Sequence, residues 1–241
     1  MYSHNLNLAH SGGLDGKPYS DHSCLMGNPI YADNVAKMCY NPAKNFQIAY
    51  GSNSWYKEYI MTWDSGTRKS SFWKGKIVGI ADYDNNPESH PVVIKLETGT
   101  DDDYFLAFNR AYRVNQDNKQ ADDQITIVLA GNNGLGYSQS WLKATLSQGD
   151  SYEITNWRGT KRHLVITVNE IDIANADPGY ADVTLNYGSA SVPNPTLTAA
   201  PVSSPVPPSK TGTDIESPNV TPTPKPTKPK RYKHNLKNGI E

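Results

Sequence analysis

The chain has 241 residues, a formal net charge of −1 at pH 7 and 37% hydrophobic residues. Because the charge is balanced, the composition favours no nucleic-acid partner, and without an apolar run of about 18 residues no membrane span is predicted. Met1 leads directly into polar sequence, so these residues predict no signal peptide. The 17 prolines are concentrated near the end, which leaves an expected ordered part of residues 1–188.

Two histidines lie six positions apart near the start, in His4-Asn5-Leu6-Asn7-Leu8-Ala9-His10. On a continuous helix, six residues rotate by about 240°, so the chain must turn before both rings can face one metal ion. Asn7 suits that turn, because asparagine tolerates a positive φ better than other non-glycine residues. The spacing alone leaves two interpretations open: a pair of zinc ligands, or two unrelated surface histidines.

Cys24 and Cys39 are the two cysteines of the chain. They could form a disulfide around a short loop, which would indicate an oxidising compartment, or remain two buried free thiols. The segment that follows, residues 41–48, predicts a short helix. Asn41 can cap it, and Pro42 suits the first helical position, where its missing N–H costs nothing.

Residues 70–187 predict an antiparallel β-sandwich, because short alternating or apolar runs recur between turn clusters. The predicted strands are 72–80, 91–96, 104–114, 124–129, 164–168 and 181–185. We interpret Asp101-Asp102-Asp103 as a solvated turn rather than a calcium site. Calcium requires about six to eight oxygen ligands, and an acidic run alone does not supply that geometry. Two interpretations of the tryptophans in this region stay open: partly buried core residues, or an exposed platform that binds carbohydrate. These tryptophans are Trp63, Trp73, Trp141 and Trp157.

Residues 189–241 are rich in Pro, Ser, Thr and Lys and predict a disordered tail. Asn219-Val220-Thr221 is a glycosylation sequon in this tail, which is compatible with secretion. The basic stretch 225–237 is a soluble spacer or a binder of acidic wall polymers.

Residues 4–56 resemble the gametolysin-type metallopeptidases, a metzincin-like family of microalgae. The resemblance depends on four blocks in the family's order: His4-Asn5-Leu6-Asn7-Leu8-Ala9-His10-Ser11-Gly12, Tyr19-Ser20-Asp21-His22-Ser23-Cys24-Leu25-Met26-Gly27, Cys39-Tyr40-Asn41-Pro42-Ala43-Lys44-Asn45-Phe46, and Trp55-Tyr56.

The resemblance implies that His4 and His10 are zinc ligands, that Met26 forms the methionine turn beneath the metal, and that a Cys24–Cys39 disulfide pins this turn. In the signature H-E-x-x-H-x-x-G-x-x-H, His4 and His10 take the second and third histidine positions, and Asn7 replaces the glycine. Met1 falls on the general-base glutamate, and the first histidine would precede residue 1. A third ligand could come from this chain's other polar loop residues: His22, Asp15 or Asp21.

The resemblance also implies a secreted zinc metalloendopeptidase that acts on extracellular-matrix or cell-wall proteins. The glutamate that would take a proton from metal-bound water is missing, so we expect this chain to be inactive. The simplest account is a truncated gene model or fragment of an active protease, and the alternative is a decayed pseudoenzyme. The expected organisation is α+β followed by all-β: residues 1–62 as the C-terminal part of a catalytic domain, 63–188 as a sandwich, and 189–241 as the tail. We expect an extracellular or wall-bound monomer. The alternative is a non-catalytic wall or glycan-binding β-sandwich protein.

Overall fold

The computed structural model describes residues 3–28, 37–51, 57–66 and 71–189. Met1, Trp55, Tyr56 and nearly all of the predicted tail lie outside these ranges. The described residues contain one α-helix and ten strands. The helix is α1 (Pro42–Gly51), and the strands are β1 (Ser11–Gly12), β2 (Ile60–Trp63), β3 (Phe72–Val78), β4 (Val93–Leu96), β5 (Asp103–Asn109), β6 (Gln124–Ala130), β7 (Ser140–Leu146), β8 (Ser151–Ile154), β9 (His163–Asp172) and β10 (Tyr180–Ser189).

The strands form two sheets. The larger sheet has six strands in the order β1-β7-β6-β5-β4-β2, and the smaller has four in the order β3-β10-β9-β8. The pairs inside both sheets are antiparallel, whereas the end pairs β1–β7 and β2–β4 of the larger sheet are parallel. The prediction of a mostly β, two-sheet architecture with one helix is confirmed, and the parallel end pairs are an addition to it.

The main hydrophobic core lies between the two sheets. Leu106 and Phe108 of β5 belong to the same buried cluster as Ile166 of β9 and Val183 of β10. Along these strands the core residues recur at every second position, which is the period that the pleat of a β-strand imposes. Burial of these apolar side chains is the main contribution to holding the sheets together.

The opposite face of the larger sheet is covered by α1. Phe46 of the helix packs in a second buried cluster with Phe105, Val128 and Leu142 of the sheet, and the rings of Phe46 and Phe105 are 5.1 Å apart. The central strands of this sheet are therefore buried on both faces, which explains why β4 and β5 read as nearly continuous apolar runs rather than alternating ones.

The helix prediction is confirmed at its start. The side-chain Oδ1 of Asn41 accepts the backbone N–H of Lys44 at 3.0 Å, and Pro42 is the first helical residue. This arrangement satisfies one of the backbone donors that every helix leaves free at its N-terminus. The helix continues to Gly51, three residues beyond the predicted end at residue 48.

The six predicted strands overlap β3, β4, β5, β6, β9 and β10, whereas the sequence predicts none of β1, β2, β7 and β8. In β7, the pairing passes from Ala144 directly to Leu142. Lys143 is thus the extra residue of a β-bulge, and its insertion breaks the alternation that sequence analysis depends on. The predicted strand 104–114 is too long. β5 ends at Asn109, and Arg113 has a left-handed φ of 47°, which a strand excludes.

Gly134, in the turn between β6 and β7, is required for packing beneath α1. We expect Gly134→Ala to destabilise the protein by about 2–4 kcal/mol. A Cβ there would lie 2.3 Å from the ring of Phe105, and the residue has a φ of +75°, so overpacking adds to backbone strain. The matched control is Gly136→Ala, since Gly136 also has a positive φ of +68°, but a Cβ there would only touch Asn132 Nδ2 at 4.0 Å. That change should cost about 1–2 kcal/mol; equal losses in urea unfolding would contradict the packing argument.

Candidate functional site

The segment that carries both histidines is fastened to the end of the larger sheet. Strand β1 follows His10 directly and pairs with β7, where Ser11 lies opposite Ser140. The N–H of Ser140 donates to the carbonyl of His10 at 3.1 Å, and the N–H of Ser11 donates to the carbonyl of Met26 at 3.0 Å. These main-chain bonds set the position of His10 relative to the turn that contains Met26.

The structure brings the rings of His4 and His10 together. Their centroids are 4.6 Å apart, with an angle of 74° between the planes. The chain reverses between them at Asn7, which has a φ of 60° and donates its N–H to the carbonyl of His4 at 3.0 Å. Gln47 of α1 donates its side-chain amide to the carbonyl of Asn7 at 2.7 Å. The turn expected at Asn7 is therefore present, and the helix supports it.

The His4 ring has a main-chain carbonyl as a hydrogen-bond partner, because its Nδ1 lies 3.0 Å from the carbonyl of Leu8. In the tautomer that donates Nδ1–H to Leu8, Nε2 of His4 keeps its lone pair. Burial and the neighbouring His4 lower the pKa of His10, which favours the neutral imidazole that can bind a metal ion.

Met26 lies in a small buried cluster below this segment. Only 5% of Met26 is exposed, and it packs with Leu8 and Cys24. The turn closes through the N–H of Gly27, which donates to the carbonyl of Cys24 at 2.9 Å. A Cβ at Gly27 would lie 2.0 Å from the carbonyl oxygen of Asp21, so the close approach of the two chain segments requires glycine there.

Cys24 and Cys39 are free thiols in the structure, so the disulfide that the resemblance implies is not formed here. Their segments are nevertheless adjacent, since the N–H of Leu25 donates to the carbonyl of Cys39 at 2.9 Å. The Sγ of Cys24 accepts the N–H groups of Met26 at 3.4 Å and Asn41 at 3.3 Å. Burial raises the pKa of both thiols to about 12, which makes them poor nucleophiles at neutral pH.

The side chains considered as a third ligand have other roles or are exposed. Asp21 is fully buried and accepts hydrogen bonds from Ser11 Oγ at 2.6 Å and from the N–H of Ser23 at 3.0 Å. Asp15 accepts a bond from the hydroxyl of Ser20, and His22 is exposed. Over the described ranges, no three His, Cys, Asp or Glu side chains are grouped in a way that could hold a metal ion.

Two exposed tyrosines extend the pair of histidine rings into a row of four. Tyr19 is 52% exposed, and its ring centroid lies 4.0 Å from that of His10. Tyr137 is 57% exposed, with its ring 6.2 Å from that of His4 and its hydroxyl 3.4 Å from His4 Nδ1. Sequence analysis missed both roles. Tyr19 belongs to a block that carries the resemblance, but no local signal connects residue 137 with residue 4.

The acidic run at residues 101–103 and two of the tryptophans have roles in the fold. Asp101 and Asp102 are exposed, as the solvated-turn interpretation requires, but Asp103 is fully buried. Its carboxylate lies 2.8 Å from Lys95 Nζ. Trp63 and Trp157 are buried in the main core, so these two indoles cannot belong to an exposed carbohydrate platform.

Comparisons with protein-family models, with curated proteins and with solved structures find no match to this chain. Among the residues described, no helix combines the length and apolar character needed to cross a bilayer.

Proposed function

We propose that this chain belongs to a zinc metalloendopeptidase of the gametolysin type that acts on extracellular-matrix or cell-wall proteins. His4 and His10 would be two of its zinc ligands. The observation that carries the proposal is the approach of the two imidazole rings to 4.6 Å across the turn at Asn7. Nδ1 of His4 also lies 3.0 Å from the carbonyl of Leu8. Metal-binding histidines almost always donate their second ring N–H in this way, which fixes the tautomer and the ring orientation.

The two histidine side chains suit zinc, although they are only two of the ligands that a zinc site needs. Two imidazoles lie side by side, 4.6 Å between centroids, and imidazole is a preferred zinc ligand. The carbonyl of Met26 accepts the N–H of Ser11, the residue after His10, so the turn at Met26 supports the segment that carries this ligand. Two unrelated surface histidines would not need the support that Gln47 of α1 gives to the turn at Asn7.

Bound zinc would lower the pKa of a water molecule to about 7 and polarise the scissile carbonyl. Within the described residues we assign no general base, and Met1 takes the place of the glutamate in the signature. His4 and His10 would then hold the ion, and the exposed rings of Tyr19 and Tyr137 would flank an extended peptide substrate. We therefore expect metal binding without peptide hydrolysis by this sequence.

Cobalt(II) titration tests the ligand assignment, because cobalt occupies zinc sites and reports on them by its visible spectrum. We expect one ion per chain, displaced by zinc. His4→Ala and His10→Ala should each weaken the affinity by at least about tenfold, which is the lower end of what even a supporting residue contributes. The matched control is His22→Ala, since His22 is an exposed histidine of the same segment, and this variant should bind like the parent.

A second version of the experiment carries Met1→Glu with a histidine added directly before it, which completes H-E-x-x-H with His4 as the second histidine. This extended chain should hold stoichiometric zinc and hydrolyse a wall glycoprotein or a casein reporter. No stoichiometric zinc in the extended chain, or equal affinity in the His4, His10 and His22 variants, would refute the proposal.

A further inference from the structure

A second site lies on the smaller sheet, away from the histidine pair. It is a cavity of about 220 Å³ between the loop that joins β3 to β4 and the loop that joins β9 to β10. Its polar lining comes from Lys76, Glu88, His90 and Asp177, and its apolar lining includes Pro178 and Tyr180. We propose that this cavity binds one neutral sugar ring of a glycan.

The walls of the cavity are fixed before any ligand arrives. Lys76 and Tyr180 are on the paired strands β3 and β10. In the first loop, Asn86 is buried and exchanges two hydrogen bonds with the main chain of His90, at 2.8 and 3.0 Å. The side-chain amide of Asn85 donates to Asp177 Oδ1 at 2.7 Å, and this bond ties the two loops to each other. A preformed cavity of this kind needs little ordering on binding.

The lining of the cavity carries charges of both signs, a lysine and two carboxylates, which disfavours a ligand with a net charge. His90 Nε2 lies 3.0 Å from a carboxylate oxygen of Glu88. Lys76 Nζ lies 3.9 Å from the centroid of the Tyr180 ring, on the same lining as the carboxylate of Asp177. An anion would face Glu88 and Asp177, and a cation would face Lys76, so either would meet a like charge at close range.

A neutral polyhydroxylated ring uses both kinds of group. Each hydroxyl donates one hydrogen bond and accepts others, so it can donate to the carboxylates of Glu88 and Asp177 while it accepts from Lys76. Pro178 and Tyr180 offer apolar surface to the C–H face of the ring. The volume of about 220 Å³ is below the range of about 300–1,000 Å³ of drug-sized pockets, which suits a single ring.

Titration of the ¹⁵N-labelled full chain by NMR with a panel of small ligands tests the proposal. The panel has neutral methyl glycosides of glucose, galactose, mannose and arabinose, and comparison ligands that are charged (glucuronate, glucosamine) or linear (glycerol). We expect at least one neutral glycoside to shift the amides of residues 76–90 and 173–180, with a dissociation constant of about 1 mM for a ligand of this size. The comparison ligands should bind at least tenfold more weakly.

Lys76→Met and Asp177→Asn should each weaken that binding by about tenfold, because each removes a charge-assisted hydrogen bond. The matched control is Lys74→Met. Lys74 lies two residues away on β3, with its Nζ 3.6 Å from Asp182, and the cavity is not lined by it. Unchanged amide dispersion will show that each variant is folded. No binding by any neutral glycoside, stronger binding of a comparison ligand, or equal losses in the Lys74 and Lys76 variants would overturn the proposal.

Discussion

Asn41→Ala should destabilise the protein by about 3–5 kcal/mol, the largest loss that we expect from one polar substitution. Asn41 caps α1 through its Oδ1, which accepts the N–H of Lys44, and loss of such a cap costs about 1 kcal/mol. The rest of the loss comes from Nδ2, whose two N–H groups are shared among three buried oxygens. Each buried hydrogen bond that is lost without replacement costs about 1–3 kcal/mol.

The three acceptors belong to three different parts of the fold. Nδ2 of Asn41 lies 2.8 Å from Ser11 Oγ in β1, 3.2 Å from Asp21 Oδ2, and 3.0 Å from Ser140 Oγ in β7. Asn41, Ser11, Asp21 and Ser140 are each at most 2% exposed. A single amide therefore joins the histidine segment, the helix and the larger sheet, so its loss should also weaken cobalt binding at His4 and His10.

Urea unfolding measures the effect as a lower midpoint at an unchanged slope. The matched control is Asn169→Ala on the smaller sheet. Asn169 also donates to two side chains, Asp182 and Thr184, but it is exposed, and the change should cost less than about 1 kcal/mol. A loss below about 1 kcal/mol for Asn41→Ala would show that the buried network contributes little.

The contacts of Asn41 show which features of the fold the sequence can predict and which it cannot. The cap was predictable, because it connects residues three apart and depends only on the local pair Asn41-Pro42. The three buried partners were not, since Ser11, Asp21 and Ser140 lie 30, 20 and 99 residues away. Nothing in the local pattern distinguishes these polar residues from those of an exposed loop.

The candidate site likewise has one part that the sequence predicts and one part that it does not. The reversal at Asn7 followed from helix geometry and from the φ preference of asparagine, and it brings His4 and His10 together. The contribution of Tyr137 depends on the β1–β7 pairing, which is parallel and joins residues 129 positions apart in the Ser11–Ser140 pair. Pairing between strands so far apart in the chain produces no periodic pattern in the sequence. The position of Tyr137 beside His4 therefore could not be predicted.

Lys44→Met should stabilise the protein by about 1–2 kcal/mol at pH 7 and change how its stability depends on pH. Lys44 is 1% exposed and donates its ammonium to the carbonyl of Ser138. Burial lowers the pKa of Lys44 to about 8, whereas an unfolded chain has a lysine pKa of about 10.4. The folded state therefore holds a charge that it disfavours at neutral pH, and methionine would fill the space without that charge.

The sign of the pH effect follows from proton counting. The two limits are the pKa of Lys44 in the folded protein, about 8, and that of a lysine in the unfolded chain, about 10.4. Between them, the folded state has lost the Lys44 proton and the unfolded state retains it. The free energy of unfolding then rises by about 1.4 kcal/mol per pH unit from this group, about 3 kcal/mol in total. Below pH 8 both states are protonated, so the group adds no slope there and its full cost is present at pH 7.

The measurement is urea unfolding of parent and variant from pH 7 to pH 10, compared at each pH. The comparison at each pH matters because the two cysteines act in the opposite direction. Burial raises the folded pKa values of Cys24 and Cys39 to about 12, so these thiols make the protein less stable as the pH rises above about 8.5, the pKa of an unfolded thiol. Both proteins contain these thiols, so most of their effect cancels in the difference; what remains is the contribution by which Lys44 lowers the pKa of Cys24, the last of its causes. The variant's advantage should shrink steadily above pH 8 and reverse near about pH 9, as the parent recovers a neutral Lys44 that still bonds to Ser138. Lys17→Met is the matched control, since that side chain is 78% exposed, and it should leave the difference flat; a flat difference for Lys44→Met as well would mean that Lys44 stays charged in the folded protein.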